Sequence, residues 1–153
     1  MALFLSTFTN KIDKKGRVSV PAPFRTTLSS QEFQGIAVFR SYKASTLESC
    51  GLDRMQRLSE SVDTLDLFSD EQDDLSSTIF ADTHQLPFDS EGRIMLPQDL
   101  MEHAGITTQA CFVGRGATFQ IWSPEGFSSH QDEARARLKA QKATLKLSKK
   151  GDE

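Results

Sequence analysis

Asp13-Lys14-Lys15-Gly16-Arg17-Val18-Ser19-Val20-Pro21 returns later in the chain as Asp89-Ser90-Glu91-Gly92-Arg93-Ile94-Met95-Leu96-Pro97. Asp, Gly, Arg and Pro are identical at a constant offset of 76 residues, and two apolar positions match in type. Self-similarity at a fixed distance marks a repeated structural unit. In each copy an Asp opens a turn, where its carboxylate can accept backbone N–H groups. The Gly supplies a positive φ at little cost. The Arg is the first side chain past the bend, and alternating apolar residues (Val18 and Val20, Ile94 and Leu96) pin the following strand to a core. Arg17 and Arg93 are therefore expected at hairpin tips, each oriented by its own Asp.

The parallel extends outward. Phe24 and Leu28, then Leu100 and Ala104, are spaced four apart, which suits one or two helical turns. Pro21 and Pro97 precede these helices, where a missing N–H costs little, and Gly105 ends the second. Gly35–Phe39 and Ala110–Val113 read as buried strands. Ser45–Leu47 and Thr118–Trp122 read as the next strands, the latter alternating with period 2. Leu52, Met55 and Leu58 keep helical spacing. Ser123-Pro124-Glu125 opens a second long helix with an N-cap, a first-turn Pro and an acid near the positive helix end. The class is α+β, with two tandem pseudo-symmetric β-α-β-β-α units at residues 1–62 and 83–131. An acidic helical linker, 63–82, joins them, and a basic helix or tail, 132–153, follows. Leu65, Leu67, Phe68, Leu75, Ile79 and Phe80 form the apolar set by which the linker is expected to pack on the body. A unit of this size is marginal alone. Two, related by a pseudo-twofold with interleaved strands, would close a small barrel without exposed sheet edges.

The chain has 153 residues, 37% hydrophobic and 25% charged, with a formal net charge of −3. That average hides a gradient. Residues 1–43 carry +5, residues 44–91 carry −10 and residues 92–153 carry +2. Local field, not the average, decides where an anion is drawn. Lys11, Lys14, Lys15, Arg17 and Arg25 gather around the first turn, whereas Ser90 and Glu91 set Arg93 against a local acid. Arginine's planar fork of donors suits phosphate or guanine, and β-ribbons carrying such residues can read a major groove. DNA is thus a candidate partner, with Arg17, Lys14, Lys15, Arg93, Lys11 and Arg25 as contacts. Asp13, Gly16, Asp89 and Gly92 are the turn-forming residues. Lys14 and Lys15 are expected to add phosphate affinity rather than base choice.

Asp13 to Arg25, the second copy at Asp89 to Pro97, and the Phe112-Val-Gly114 … Phe119-Gln-Ile-Trp122 ending resemble the MraZ family. The resemblance runs from about residue 4 to 130. It implies an AbrB-like swapped-hairpin β-barrel within one chain, with peripheral helices. It also implies a ring-shaped homo-oligomer, association with the nucleoid, and control of a promoter of the division and cell-wall gene cluster, engaged through short direct repeats. The family's Asp-x-x-x-Arg signature falls on Asp13 with Arg17 and on Asp89 with Arg93. Two departures stand out. Leu100-Met101 replaces Phe24-Arg25 in the second copy, and the basic tail after about Asp132 lies beyond the recognisable core.

Other features point to no second chemistry. Cys50 and Cys111 form no CxxC pair and are expected as buried thiols. His84, His103 and His130 lack metal-ligand spacing. Gly114-Arg115-Gly116 reads as a turn, and Trp122 as core. Ser19 and Ser90 have no His spaced to activate them. No enzyme, metal, cofactor or small-molecule substrate is expected. No apolar run reaches a membrane span, and Ala2–Leu5 is too short for a signal peptide, so a cytoplasmic place is expected. The tail from Arg135 to Lys150 holds seven Lys/Arg and no acid; it reads as a solvated helix or as a DNA-contacting arm. Two rival readings of the whole are a protein-binding scaffold, which the acidic middle favours, and an enzyme on a small barrel, which lacks any acid/base or metal set.

Overall fold

The computed structural model describes residues 3–148. The first unit contains β1 (Thr7–Lys11), β2 (Arg17–Ser19), α1 (Ala22–Thr27), β3 (Gly35–Arg40), β4 (Leu47–Cys50) and α2 (Leu52–Val62). The second contains β5 (His84–Pro87), β6 (Arg93–Met95), α4 (Gln98–Ala104), β7 (Gln109–Gly114), β8 (Phe119–Trp122) and α5 (Pro124–Gln141). Between them lie α3 (Asp70–Leu75) and a π-helical turn, Ser76–Phe80.

Six strands form one antiparallel sheet in the order β1-β7-β8-β4-β3-β5, and β2 pairs with β6 in a separate two-stranded ribbon. The order is symmetric about the β8–β4 junction. Each unit's first strand pairs with the other unit's third in one case, β1 with β7, while β5 pairs with β3 of the first unit in the other. The expected closed barrel is not formed. After each Asp-x-x-Gly-Arg bend the chain leaves the large sheet, and the two return strands pair with each other. β1 and β5 are thereby left as the two edges of an open sheet.

The ribbon covers the sheet's inner face. Val18 and Ile94, each 1% exposed, join Phe24, Leu100, Phe112, Phe119 and Ile121 in the main core. Two smaller clusters lie on the outer face. Ala37, Phe39 and Cys50 pack with Met55 of α2 and with Ile79. Cys111, Val113 and Trp122 pack with Phe127 of α5. Both cysteines are buried and free, and burial pushes the Cys50 thiol up to about 12. The helix ends follow their sequence signals. Ser123 Oγ accepts from Gly126 N, Pro124 and Glu125 occupy the first turn of α5, and Gly105 takes φ 64° at the end of α4.

Three local expectations change. β4 starts at Leu47 and runs to Cys50; Thr46 is instead buried in the preceding turn, donating to Ile121 O at 2.8 Å. β8 does not alternate: all four residues are buried, because α5 covers the face that would otherwise meet water. Gln120 is satisfied there by Glu48 and by the Trp122 indole, which donates to its Oε1 at 2.8 Å. In the linker, Leu75, Ile79 and Phe80 pack on the outer cluster, but Leu67 and Phe68 point to solvent. Helix α2 stops at Val62, and Phe68 takes a left-handed φ of 66° that turns its ring away from the body.

Candidate nucleic-acid interface

The two turns are built alike. In the first, Gly16 N donates to Asp13 O at 3.0 Å and Gly16 takes φ 88°. Asp13 Oδ1 accepts the Lys15 and Arg17 backbone N–H groups at 3.0 and 2.9 Å, and Oδ2 accepts Arg17 Nε at 2.7 Å. In the second, Asp89 Oδ1 accepts Glu91 N and Arg93 N, each at 2.9 Å, and Oδ2 accepts Arg93 Nε at 2.8 Å. The Arg17 backbone N–H is the largest influence on the Asp13 carboxyl; with the Arg17 guanidinium and the Lys15 N–H it outweighs the opposing effect of desolvation and holds the group below its usual range. Asp89 is lowered in the same way, first by the Arg93 N–H. Each Asp thus shapes the bend and fixes its Arg at Nε.

Pairing of the return strands brings the arginines together. Val18 stands opposite Ile94, its own counterpart in the repeat, so the local twofold passes through that pair. Reciprocal bonds flank it: Val20 N to Gly92 O at 3.1 Å and Leu96 N to Gly16 O at 2.9 Å. Val18 and Ile94 face inward, and alternation turns the other four residues outward. Arg17 lies across from Met95, and Arg93 across from Ser19. Ser19 and Met95 are exposed, and the Arg17 and Arg93 side chains keep 33% and 28% exposure. Both arginines therefore stand on the open face of one ribbon rather than at the ends of separate protruding loops.

The two halves of this face differ in charge. Lys11, Lys14 and Lys15 are exposed, and none of them forms an ion pair among the described residues. Arg93 carries a second partner, Glu91, at 3.0 Å. Among the described residues Arg17 is ion-paired with Asp13 alone.

Arg25 holds a place in the fold. Its Nε donates to Val20 O at 3.0 Å, and its guanidinium lies over Gly92; a Cβ there would sit 2.7 Å from Arg25 Cζ. A residue of the first unit thereby braces the second unit's turn. The matching position beside the first turn is Met101, and there a cleft of about 450 Å³ stays open, lined by Ile12, Lys14, Lys15, Gly16, Met101 and Thr108 among others.

Sequence reasoning did not find Ser19 and Met95 as neighbours of the arginines, nor the Arg25 brace. Both depend on β2–β6 register between distant segments. The missing Arg at Met101 was the one visible sign that the two turns are supported differently. The groups of His, Cys, Asp and Glu among the described residues include none arranged to hold a metal ion. No helix there is long and apolar enough to cross a membrane.

Comparison with known proteins gives a consistent assignment. A family model described as "MraZ protein, putative antitoxin-like" matches residues 79–149. Proteins named "Transcriptional regulator MraZ" from Rickettsia canadensis (strain McKiel) and Rickettsia akari (strain Hartford) are 44% and 43% identical to this chain over 146 residues. Each alignment covers 95% of this chain and 98% of the relative. Transcriptional regulators are a non-enzyme class. With identity at this level along nearly its whole length, the chain belongs to the MraZ family.

Proposed function

We propose that this chain is a transcriptional regulator that binds double-stranded DNA sequence-specifically through the outer face of the β2–β6 ribbon. The observation that carries the reading is the placing of two Asp-braced arginines on one exposed ribbon face, with lysines beside one of them. Arg17 and Arg93 would read bases or grip phosphates, and Lys11, Lys14 and Lys15 would neutralise the neighbouring backbone. Arg25 would contribute by bracing the second turn, beside any phosphate contact of its own.

The family assignment supports the biological setting. The proposed target is a promoter of the division and cell-wall gene cluster, and the proposed form is a ring-shaped homo-oligomer in the cytoplasm, associated with the nucleoid. One ribbon offers few contacts. Several ribbons on one ring could engage direct repeats together, and effective concentration would then raise affinity well above that of one ribbon. Residues 1–62 and 83–131 would be the two AbrB-like repeats, with 63–82 as linker and 132–153 as tail. The mutual pairing of β2 and β6 would be the single-chain form of a swapped hairpin.

A gel shift with a promoter fragment and a scrambled fragment, at two salt concentrations, tests this. Selective retardation that weakens with salt is expected, because Lys and Arg contacts release counterions from DNA. Equal retardation of both fragments, or none, would refute it.

A further inference from the structure

Two exposed segments of opposite charge stand away from the packed body. The first is the bend between α2 and α3. Its Leu67 and Phe68 are 73% and 96% exposed, and Phe68 is held at φ 66°, a conformation that L-residues with large side chains rarely adopt. Asp63, Asp66, Asp70, Glu71, Asp73 and Asp74 surround the pair, and no Lys or Arg occurs between Arg57 and Arg93. The second is the end of α5. From Arg135 to Leu147 every residue is exposed, so the last turns of the helix leave the body with no packed face. These turns carry Arg135, Arg137 and Lys139 with Leu138 at 58% exposure, and Lys142 and Lys146 follow just past the helix end, with no acid in the stretch.

The repeat explains why these segments do not meet. Helices α2 and α5 are counterparts in the two units and cover opposite halves of the sheet, one over β3–β4 and the other over β7–β8. The acidic bend follows α2, and the basic stretch ends α5. Among the described residues the one ion pair of the basic stretch is local, Arg137 with Glu133. A surface and its complement on opposite halves of one molecule produce a head-to-tail contact, which closes into a ring when the rotation permits.

We infer that the Leu67–Phe68 bend of one copy docks against the projecting end of α5 of the next copy. The apolar pair would meet Leu138, and the surrounding acids would face the arginines and lysines. This inference rests on the proposed ring and names the contact that builds it. The occupant of the basic stretch is a second copy of this chain rather than DNA, because the same chain displays the matching acidic and apolar surface.

Light scattering on the full-length protein, with circular dichroism to verify folding, tests the contact. One variant combines Asp63→Lys, Asp66→Lys and Asp74→Lys, which spares the first turn of α3. A second combines Arg135→Glu, Arg137→Glu and Lys139→Glu. Each alone is expected to lower the particle mass to that of a single chain, and the two sets combined to restore the oligomer. Phe68→Gly should also fold and lose assembly, since Gly accepts the same φ without strain. An oligomeric wild type whose mass neither charge reversal nor Phe68→Gly alters would overturn this contact and leave the ring standing. A wild type that is a single chain at every concentration would overturn both. Retained mass with weakened DNA affinity in the basic-stretch variant would make that stretch a DNA arm and overturn the inference.

Discussion

Arg17 and Arg93 are diagonal neighbours on the solvent face of a two-stranded ribbon, with Met95 opposite the first and Ser19 opposite the second. Diagonal positions of this kind lie about 7–8 Å apart. The pair is created by tertiary structure, since the residues belong to separate repeats and meet only because β2 and β6 leave the large sheet and join. Each guanidinium is anchored through Nε to its own Asp. Fixing the stem in this way removes rotamer freedom before any ligand arrives, which lowers the entropic cost of binding.

The halves of the face should contribute unequally. Glu91 competes for Arg93, so Glu91→Gln is expected to tighten promoter binding severalfold at low salt. Lys14→Ala and Lys15→Ala should weaken binding to specific and scrambled DNA alike. Each should reduce the slope of log affinity against log salt by about 0.9 for every phosphate that is no longer neutralised. Titrations at four salt concentrations measure both effects. An unchanged slope in the double lysine variant would place the phosphate contacts elsewhere.

The brace between Arg25 and Gly92 can be separated from DNA contact by a double-mutant cycle. Gly92→Ala should destabilise the fold by at least about 1–2 kcal/mol, because φ is positive there and the added Cβ strikes Arg25. Gly105→Ala, with nothing within 4 Å of the added carbon, should cost only the conformational part, about 1 kcal/mol. Combining Gly92→Ala with Arg25→Ala should recover part of the loss, with a coupling of about 0.5–3 kcal/mol. Strict additivity in urea denaturation would show that Arg25 does not support the turn.

The inner face of the ribbon ties the site to the core. Ile94→Ala empties space in a fully packed cluster and should cost about 2–5 kcal/mol. Met95→Ala, one residue along and on the open face, should change stability by about 0.5 kcal/mol or less. Thermal unfolding of the two variants checks the alternation on which the placement of Arg17 and Arg93 depends.

The turn carboxylates give a pH signature. Asp13 and Asp89 lie below the usual aspartate value of 3.8. The unfolded chain therefore binds more protons near that pH, and the stabilisation is present above it. It is lost as pH falls through the lower folded-state values. Near neutrality neither group should make stability pH-dependent. Carbon-detected NMR should find both titration midpoints below 3.8. In Arg17→Ala, Asp13 should remain depressed, because the backbone N–H of residue 17 is the largest cause; return to 3.8 would assign the effect to the guanidinium instead.

Local chemistry is readable along the chain wherever one segment decides it. The Asp-x-x-Gly-Arg bends, the Ser123 cap, the Gly105 stop and the buried strands Gly35–Arg40 and Gln109–Gly114 all follow from short-range preferences. The constant offset between the two motifs also exposes the pseudo-symmetry. The cross-strand neighbour of Arg17 cannot be read in this way. Alternation determines which residues share a face, but the register between strands drawn from two repeats is set by the packing of Val18 on Ile94. The same limit explains the barrel. A repeat with complementary strands is compatible with closure, yet the preference of β2 for β6 leaves β1 and β5 as open edges. Phe68 departs from expectation because an apolar residue near a helix ordinarily packs, and only the end of α2 at Val62 turns it outward.

Fluorescence anisotropy with labelled promoter DNA, comparing wild type with Arg17→Ala, measures the contribution of the ribbon face directly. The substitution is expected to abolish the difference in affinity between promoter and scrambled DNA, while circular dichroism and particle mass stay those of wild type. A folded Arg17→Ala protein that still distinguishes the promoter as strongly as wild type would contradict the assignment of DNA reading to this face.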